Sequence, residues 1–341
     1  MSRRFEFNCL PTAIGSMPHT SAEEALSLIF KYLPDIPYWP QLPKRSILEN
    51  MYIQFSEGFP GIVVEDGKVQ VVQADDFDTA LEQLYNSFEE ENLDVFKVSA
   101  EYAAGLYSLL SHGTPQARMV KGQITGPVSL GLSVTDRKSK GILYDDVLIG
   151  VIAKYLRYKA AWQENFLRSF SPETIIFIDE PYLSSLGSAF VPISFDLVRS
   201  LLEEVLEGIH GLSGIHCCGN TDWVLLLGAD IDILSFDAYN YSDSLGVYAR
   251  EVKSFLERSG VIAWGIVPND EEMLAKESVV TLRERLKEAM APFMEAGIPL
   301  SRLIKQGLLT PSCGLASMSI EGSVRALELL AELSAEMRKE L

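Results

Sequence analysis

The feature that most constrains this chain is an alternation. Short apolar runs rich in β-branched residues recur along it: RMVKGQI from 118, TIIFIDE from 174, GIHCC from 214, DILSFD from 232, VIAWGIV from 261 and the weaker LIKQGLL from 303. Between them lie long stretches where apolar residues return every three or four positions, as in SFDLVRSLLEEVLEGI from 194. The spacing predicts helices over about 143–170, 193–210, 241–259, 272–297 and 319–340. Strands joined by helical crossovers must lie parallel, because a parallel pair cannot be closed by a tight turn. Six or more such units predict a single (β/α)8 TIM barrel, and 341 residues accommodate one barrel with insertions. An open doubly wound sheet shares the alternation, but no Gly-rich dinucleotide fingerprint follows an early strand.

The first third departs from this rhythm. GIVVEDGKVQVV reads as a hairpin, two alternating runs flanking Asp66-Gly67, a pair suited to a primed turn. Before it, YLPDIPYWPQLPKRS is too rich in proline for a helix and reads as a loop. Together they form an insertion at about 31–73, with Trp39, Gln41 and Glu57 as candidates to shape a pocket or docking face. No repeat or low-complexity linker marks a boundary, so 1–341 reads as one unit.

Charge narrows the partners. Forty-seven acidic against 29 basic residues give a net charge of -18, which repels phosphate backbones and anionic lipid surfaces. Nucleic acid and membranes are therefore excluded as partners. The start of the chain lacks a continuous apolar signal region, and no run approaches the ~20 apolar residues of a membrane span, so a cytoplasmic protein is expected. Four cysteines, Cys9, Cys217, Cys218 and Cys313, are too few and too uneven for a disulfide scaffold.

Three scarce side chains sit together in GIHCC. On a strand, His216 and Cys218 project from one face and Cys217 from the other. Gly219-Asn220 marks the strand's carboxyl end, the end where β/α barrels carry chemistry. A soft cation such as Zn²⁺ requires two further ligands from neighbouring strands. Asp237, ending ILSFD, and Cys313, in TPSCGL, are both at the right end. The competing reading makes the cysteines small buried hydrophobes, His216 a core histidine and Asp237 a helix cap. Asp179 and Glu180, directly after an apolar strand, fall in the barrel mouth.

Five motifs in one order resemble the cobalamin-independent methionine synthase and uroporphyrinogen decarboxylase-like superfamily: IGSMPHT, KGQITGPVSL, IDEP, HCCG and PSCGL. HCCGNT is also similar to the H-x-C-G-N-T of corrinoid-dependent methyltransferases. The resemblance implies one barrel whose zinc ion binds and activates a thiol. The implied ligands are His216, Cys218 and Cys313, with Asp237 where the synthases have glutamate. It further implies that Ile14, Gly15 and Ser16 hold the carboxylate of homocysteine and that Asp179 meets its ammonium.

Two departures bear on the methyl donor. The full-length synthases have two barrels, whereas this chain has room for one. They also supply a histidine in D-x-H-S that protonates a folate leaving group, and WGIVPND here has none. A methylcorrinoid needs no such acid, so the expected donor is a methylcorrinoid on a partner corrinoid protein and the expected acceptor is homocysteine. Another thiol such as coenzyme M is the alternative acceptor, and a non-catalytic metal- or corrinoid-binding accessory protein is the alternative class. A porphyrinogen decarboxylase would want many basic residues, and the early segment offers few, among them Arg3, Arg4, Lys44 and Arg45.

Overall fold

The computed structural model describes residues 5–113, 117–188 and 191–341; Arg3 and Arg4 lie outside them. Among the described residues there are nine strands: β1 (Leu10–Pro11), β2 (Ile62–Glu65), β3 (Lys68–Val71), β4 (Val120–Thr125), β5 (Thr174–Asp179), β6 (Leu212–Cys217), β7 (Ile233–Phe236), β8 (Val261–Val267) and β9 (Gly307–Pro311). Seven of them form a curled, wholly parallel sheet in the order β1-β9-β8-β7-β6-β5-β4. Five of the six sequence-predicted runs hold a strand of this sheet as expected, while the sixth, LIKQGLL, is divided between the end of helix Leu300–Lys305 and the start of β9.

The expectation of eight strands in a closed barrel needs correction. Among the described residues the ladder has seven, and its edges, β1 and β4, do not pair with each other. The gap between them is spanned by the proline-rich segment 35–41. Tyr38 makes a parallel bridge to Lys121 of β4, and Gln41 makes another to Ser16 beyond β1. Pro37 O accepts from Lys121 N at 2.9 Å, and Ile36 O accepts from Thr12 Oγ1 at 3.0 Å. Pro37 and Pro40 lack the N–H groups a continuous ladder requires, so the segment fills the eighth position without becoming a strand. What reads as a loop in sequence is thus part of the wall.

Helices pack outside the sheet. Leu148–Arg168, Phe195–Leu206, Val279–Glu295 and Ile320–Arg338 fall within the predicted windows, while 241–259 contains the end of Ala238–Gly246 and all of Ala249–Glu257. The periodicity persists across that break, which is why the sequence does not reveal it. β2 and β3 form the expected antiparallel hairpin, with Asp66 and Gly67 at φ of 49° and 75°. Among the described residues no helix is long and apolar enough to cross a membrane.

The core has two parts. A large cluster fills the layer between sheet and helices. A smaller one, including Leu10, Met119, Ile175, Phe177, Ile233, Val261 and Leu308, plugs the inside of the curl. Register then sets the polar layer above that plug: Thr125 pairs with Asp179, Asp179 with His216, and His216 with Ser235. Four polar residues on adjacent strands therefore share one level at the carboxyl end of the sheet.

Candidate metal centre

β6 ends at Cys217, and the next residue, Cys218, leaves the strand on the opposite side, as a two-residue period requires. Cys217 joins the outer core, and burial pushes its thiol up to about 12, so it is an inert hydrophobe. His216 and Cys218 turn to the other side. Cys313, nearly a hundred residues on, follows β9 and meets them there. The ligand atoms of His216, Cys218 and Cys313 all lie within 4.8 Å of one another.

The electrostatics of the trio suit a soft cation. A hydrogen bond from the Cys313 thiol and the neighbouring His216 ring pull Cys218 down to about 4, despite burial. The same bond, with burial, raises Cys313 well above its ordinary value. Nδ1 of His216 lies 3.0 Å from Oγ of Ser235 on β7, and Nε2 is buried without a partner. With Nδ1–H donating to the serine, the lone pair of Nε2 is free to bind. One nitrogen and two sulfurs are the donors zinc prefers, and three protein ligands leave a coordination position for a substrate.

These residues line a cavity of about 390 Å³. Ile14 and Ser16 form part of its wall, beside the loop carrying Cys313; Leu315 N donates to Ser16 O at 2.9 Å. Gly15 does not line it, but a Cβ there would stand 2.7 Å from Oε1 of Gln41, so the bare backbone lets the two segments meet. Asp179 also faces the cavity. Its Oδ1 is buried with no partner, and burial pushes the carboxyl up to about 6, against the opposing charges of His216 and Lys121.

Three sequence-predicted residues fall elsewhere. Asp237 does not join the cluster: Oδ1 accepts from Asn240 N at 2.9 Å and Oδ2 from Asn240 Nδ2 at 2.7 Å, so its carboxylate caps helix Ala238–Gly246. Glu180 turns away from the cavity and accepts from Val128 N, Ser129 N and Ser129 Oγ at 2.9, 2.9 and 2.6 Å, closing the start of helix Pro127–Ser133. Glu57 is likewise outside the cavity lining, accepting from Ser99 N at 2.9 Å and influencing buried Lys159. Of the other insertion residues, Gln41 lines the cavity, whereas Trp39 is buried and donates to Gln163.

Sequence reasoning missed Asn50, Tyr52 and Asn269, which all line the cavity. The first two carry no motif; Asn269 stands in WGIVPND, noted only for lacking a histidine. It also missed Lys121, a lysine inside a buried strand, whose Nζ donates to Ile14 O at 2.5 Å beneath the cavity wall. A charge within an apolar run is the signal that could have found it.

The architecture is a curled parallel β/α sheet with a His-Cys-Cys cluster at its carboxyl end, and the comparisons agree in fold. A B12-independent methionine synthase from Shewanella sp. W3-18-1, in complex with selenomethionine, superposes with a TM-score of 0.60 at 17% identity, covering 97% of this chain and 98% of that one. A putative vitamin-B12 independent methionine synthase from Listeria monocytogenes gives 0.61 at 13%, covering 98% and 99%. A methyltransferase from Methanosarcina mazei gives 0.54 at 14%, covering 95% and 93%. In sequence, a methionine synthase of Methanocaldococcus jannaschii is 25% identical over 221 residues, 62% of this chain and 63% of that protein, so the match spans less than two thirds of the relative. No family model matches.

Proposed function

We propose that this protein is a zinc-dependent methyltransferase that moves a methyl group from a methylcorrinoid, held on a separate corrinoid protein, to the thiol of homocysteine. One observation carries the reading: a single cavity presents one imidazole and two thiols and, one strand away, a buried carboxylate with one unpartnered oxygen. A zinc ion held by His216, Cys218 and Cys313 would keep an incoming thiol deprotonated near neutral pH, where a free alkyl thiol is mostly protonated. The Ser235 hydroxyl can accept from Nδ1–H of His216, which leaves Nε2 for the metal. Asp179 supplies the counter-charge for an ammonium, which favours an amino acid thiol over a sulfonate thiol such as coenzyme M. Ser16 and Ile14, which line the cavity, are the groups we assign to the substrate carboxylate, and Lys121 braces the Ile14 backbone from below.

The donor follows from what stands opposite. At the place where the resemblance expects an acid, the cavity has Asn269, whose amide cannot protonate a leaving nitrogen. A methylcorrinoid needs no such proton. The names of two structural neighbours, which specify B12 independence, favour a second reading in which the donor is 5-methyltetrahydrofolate. The deciding assay offers homocysteine and zinc-loaded protein each donor in turn. Methionine from methylcobalamin or a methylated corrinoid protein, and none from the folate, supports the first reading. Folate alone supports the second, and no methionine from any donor refutes methyl transfer to homocysteine.

A further inference from the structure

The loop that brings Cys313 to the cluster is held by one side chain from the neighbouring strand end. β8 and β9 extend their ladder by a bond from Ser312 N to Val267 O at 2.8 Å, and the chains then diverge. Across that divergence Asn269 N donates to Ser312 Oγ at 3.1 Å, and the serine hydroxyl donates back to Asn269 Oδ1 at 2.9 Å. On the far side of Cys313, Asn269 Nδ2 donates to Gly314 O at 3.2 Å. Both residues flanking Cys313 are therefore gripped by the same asparagine, while the thiol between them is left free to face His216 and Cys218. The loop's other side rests on Ser16, so closely that a Cβ on Gly314 would lie 2.2 Å from Ser16 Oγ.

We propose that Asn269 is a positioning residue that presets the Cys313 sulfur against Cys218 before metal or substrate arrives. The inference rests on the metal reading above for its consequence, but the geometry it explains exists without the metal. A cysteine on an unbraced loop would have to lose that freedom on binding; one already fixed does not, and outer partners that orient a ligand typically change metal affinity by about 10- to 100-fold.

The test compares wild type, Asn269→Ala and Ser312→Ala as full-length, metal-free proteins titrated with cobalt(II) alone. Ser312→Ala removes half of the grip and carries the test if Asn269→Ala does not fold. The expected result is an affinity about 10- to 100-fold weaker for Asn269→Ala, a smaller loss for Ser312→Ala, and sulfur-to-cobalt charge-transfer bands falling toward the one-thiolate intensity. The melting temperatures without metal should stay close to wild type. Unchanged affinity and bands in both variants would overturn the proposal, as would a loss matched by equal collapse of the metal-free fold. A second readout needs no metal: diamide, which takes the hydrogens of two thiols as they join, should close a Cys218–Cys313 disulfide more slowly in the variants. If wild type binds no cobalt, the metal reading fails and the disulfide rate alone decides, an unchanged rate refuting the positioning role. A wild-type protein that neither binds cobalt nor forms that disulfide refutes both.

Discussion

Replacing Asp179 by asparagine keeps the shape of the side chain while removing its charge and exchanging one acceptor oxygen for an amide donor, so it tests what that charge does for binding against what it costs the free protein. In the cavity Oδ1 is buried without a hydrogen-bond partner, and the carboxyl is pushed up to about 6, chiefly by burial. A raised carboxyl means the native state binds its proton more tightly than the unfolded chain does. Stability is therefore full below the unfolded value near 4 and is lost as pH rises toward 6. At pH 7 the metal-free wild type carries a penalty of up to roughly 3 kcal/mol, less what the buried amide would cost in its place. Asp179→Asn should accordingly melt higher than wild type at pH 7 and lose that advantage by pH 4. Binding should move the other way. A hydrogen bond to a charged group contributes about 1.5–3 kcal/mol, so KM for homocysteine should rise about 10- to 150-fold. The assay pairs homocysteine with 4-mercaptobutyrate, which differs from it only in lacking the ammonium. Wild type should discriminate strongly between them and the variant weakly. A variant that retains wild-type discrimination would refute the assignment of Asp179 to the ammonium, whatever its stability.

Three further outcomes follow. Cys313→Ser should lower bound zinc from about one per chain to a loosely held fraction removable by mild chelation, because an alcohol is a far poorer ligand than a thiolate; tight stoichiometric zinc in the variant would contradict the three-residue site. Gly126→Ala should destabilise by about 1–3 kcal/mol in thermal or denaturant unfolding, since its Cβ would fall 2.2 Å from Glu180 Oε1; a neutral effect would mean that the Glu180 cap is not held as described. Lys159 is buried and its ammonium is pulled down to about 7, chiefly by burial with Glu57 opposing. The unfolded chain thus binds more protons than the native one between about 7 and 10.4, and wild type gains stability as pH rises through that window. Lys159→Met should therefore be relatively most stable at or below pH 7, with its advantage over wild type shrinking by about 1.4 kcal/mol per pH unit above it; a difference independent of pH would place the charge elsewhere.

How much of this was legible beforehand depends on the range over which each decision is made. Strand positions, the major helical stretches and the Asp66-Gly67 hairpin follow from local patterns, because periodicities of two and 3.6 are properties of the chain itself. The split of His216 and Cys218 from Cys217 is of the same kind, needing only that GIHCC be a strand. The meeting of those two with Cys313, and the place of Ile14 and Ser16 beside them, were readable through motif resemblance; pattern alone made Cys313 no more than a candidate at the right end of the sheet.

Other decisions belong to the tertiary structure alone. A carboxylate after a strand has the same local sequence whether it faces a cavity or caps a helix, so Asp179, Glu180 and Asp237 look alike until strand register and the neighbouring N–H groups place them. Only then does Asp179 emerge with an empty oxygen, while the other two spend theirs on helix starts. The same holds for the proline-rich segment, which bridges to β4 and to the residues beyond β1, and for Asn269, whose two partners lie more than forty residues away. Local chemistry determines which conformations and ligands each residue can offer. Long-range packing decides which of those offers converge, since hydrogen bonds and metal ligands act over a few ångströms while the residues that make them are scattered along the whole chain.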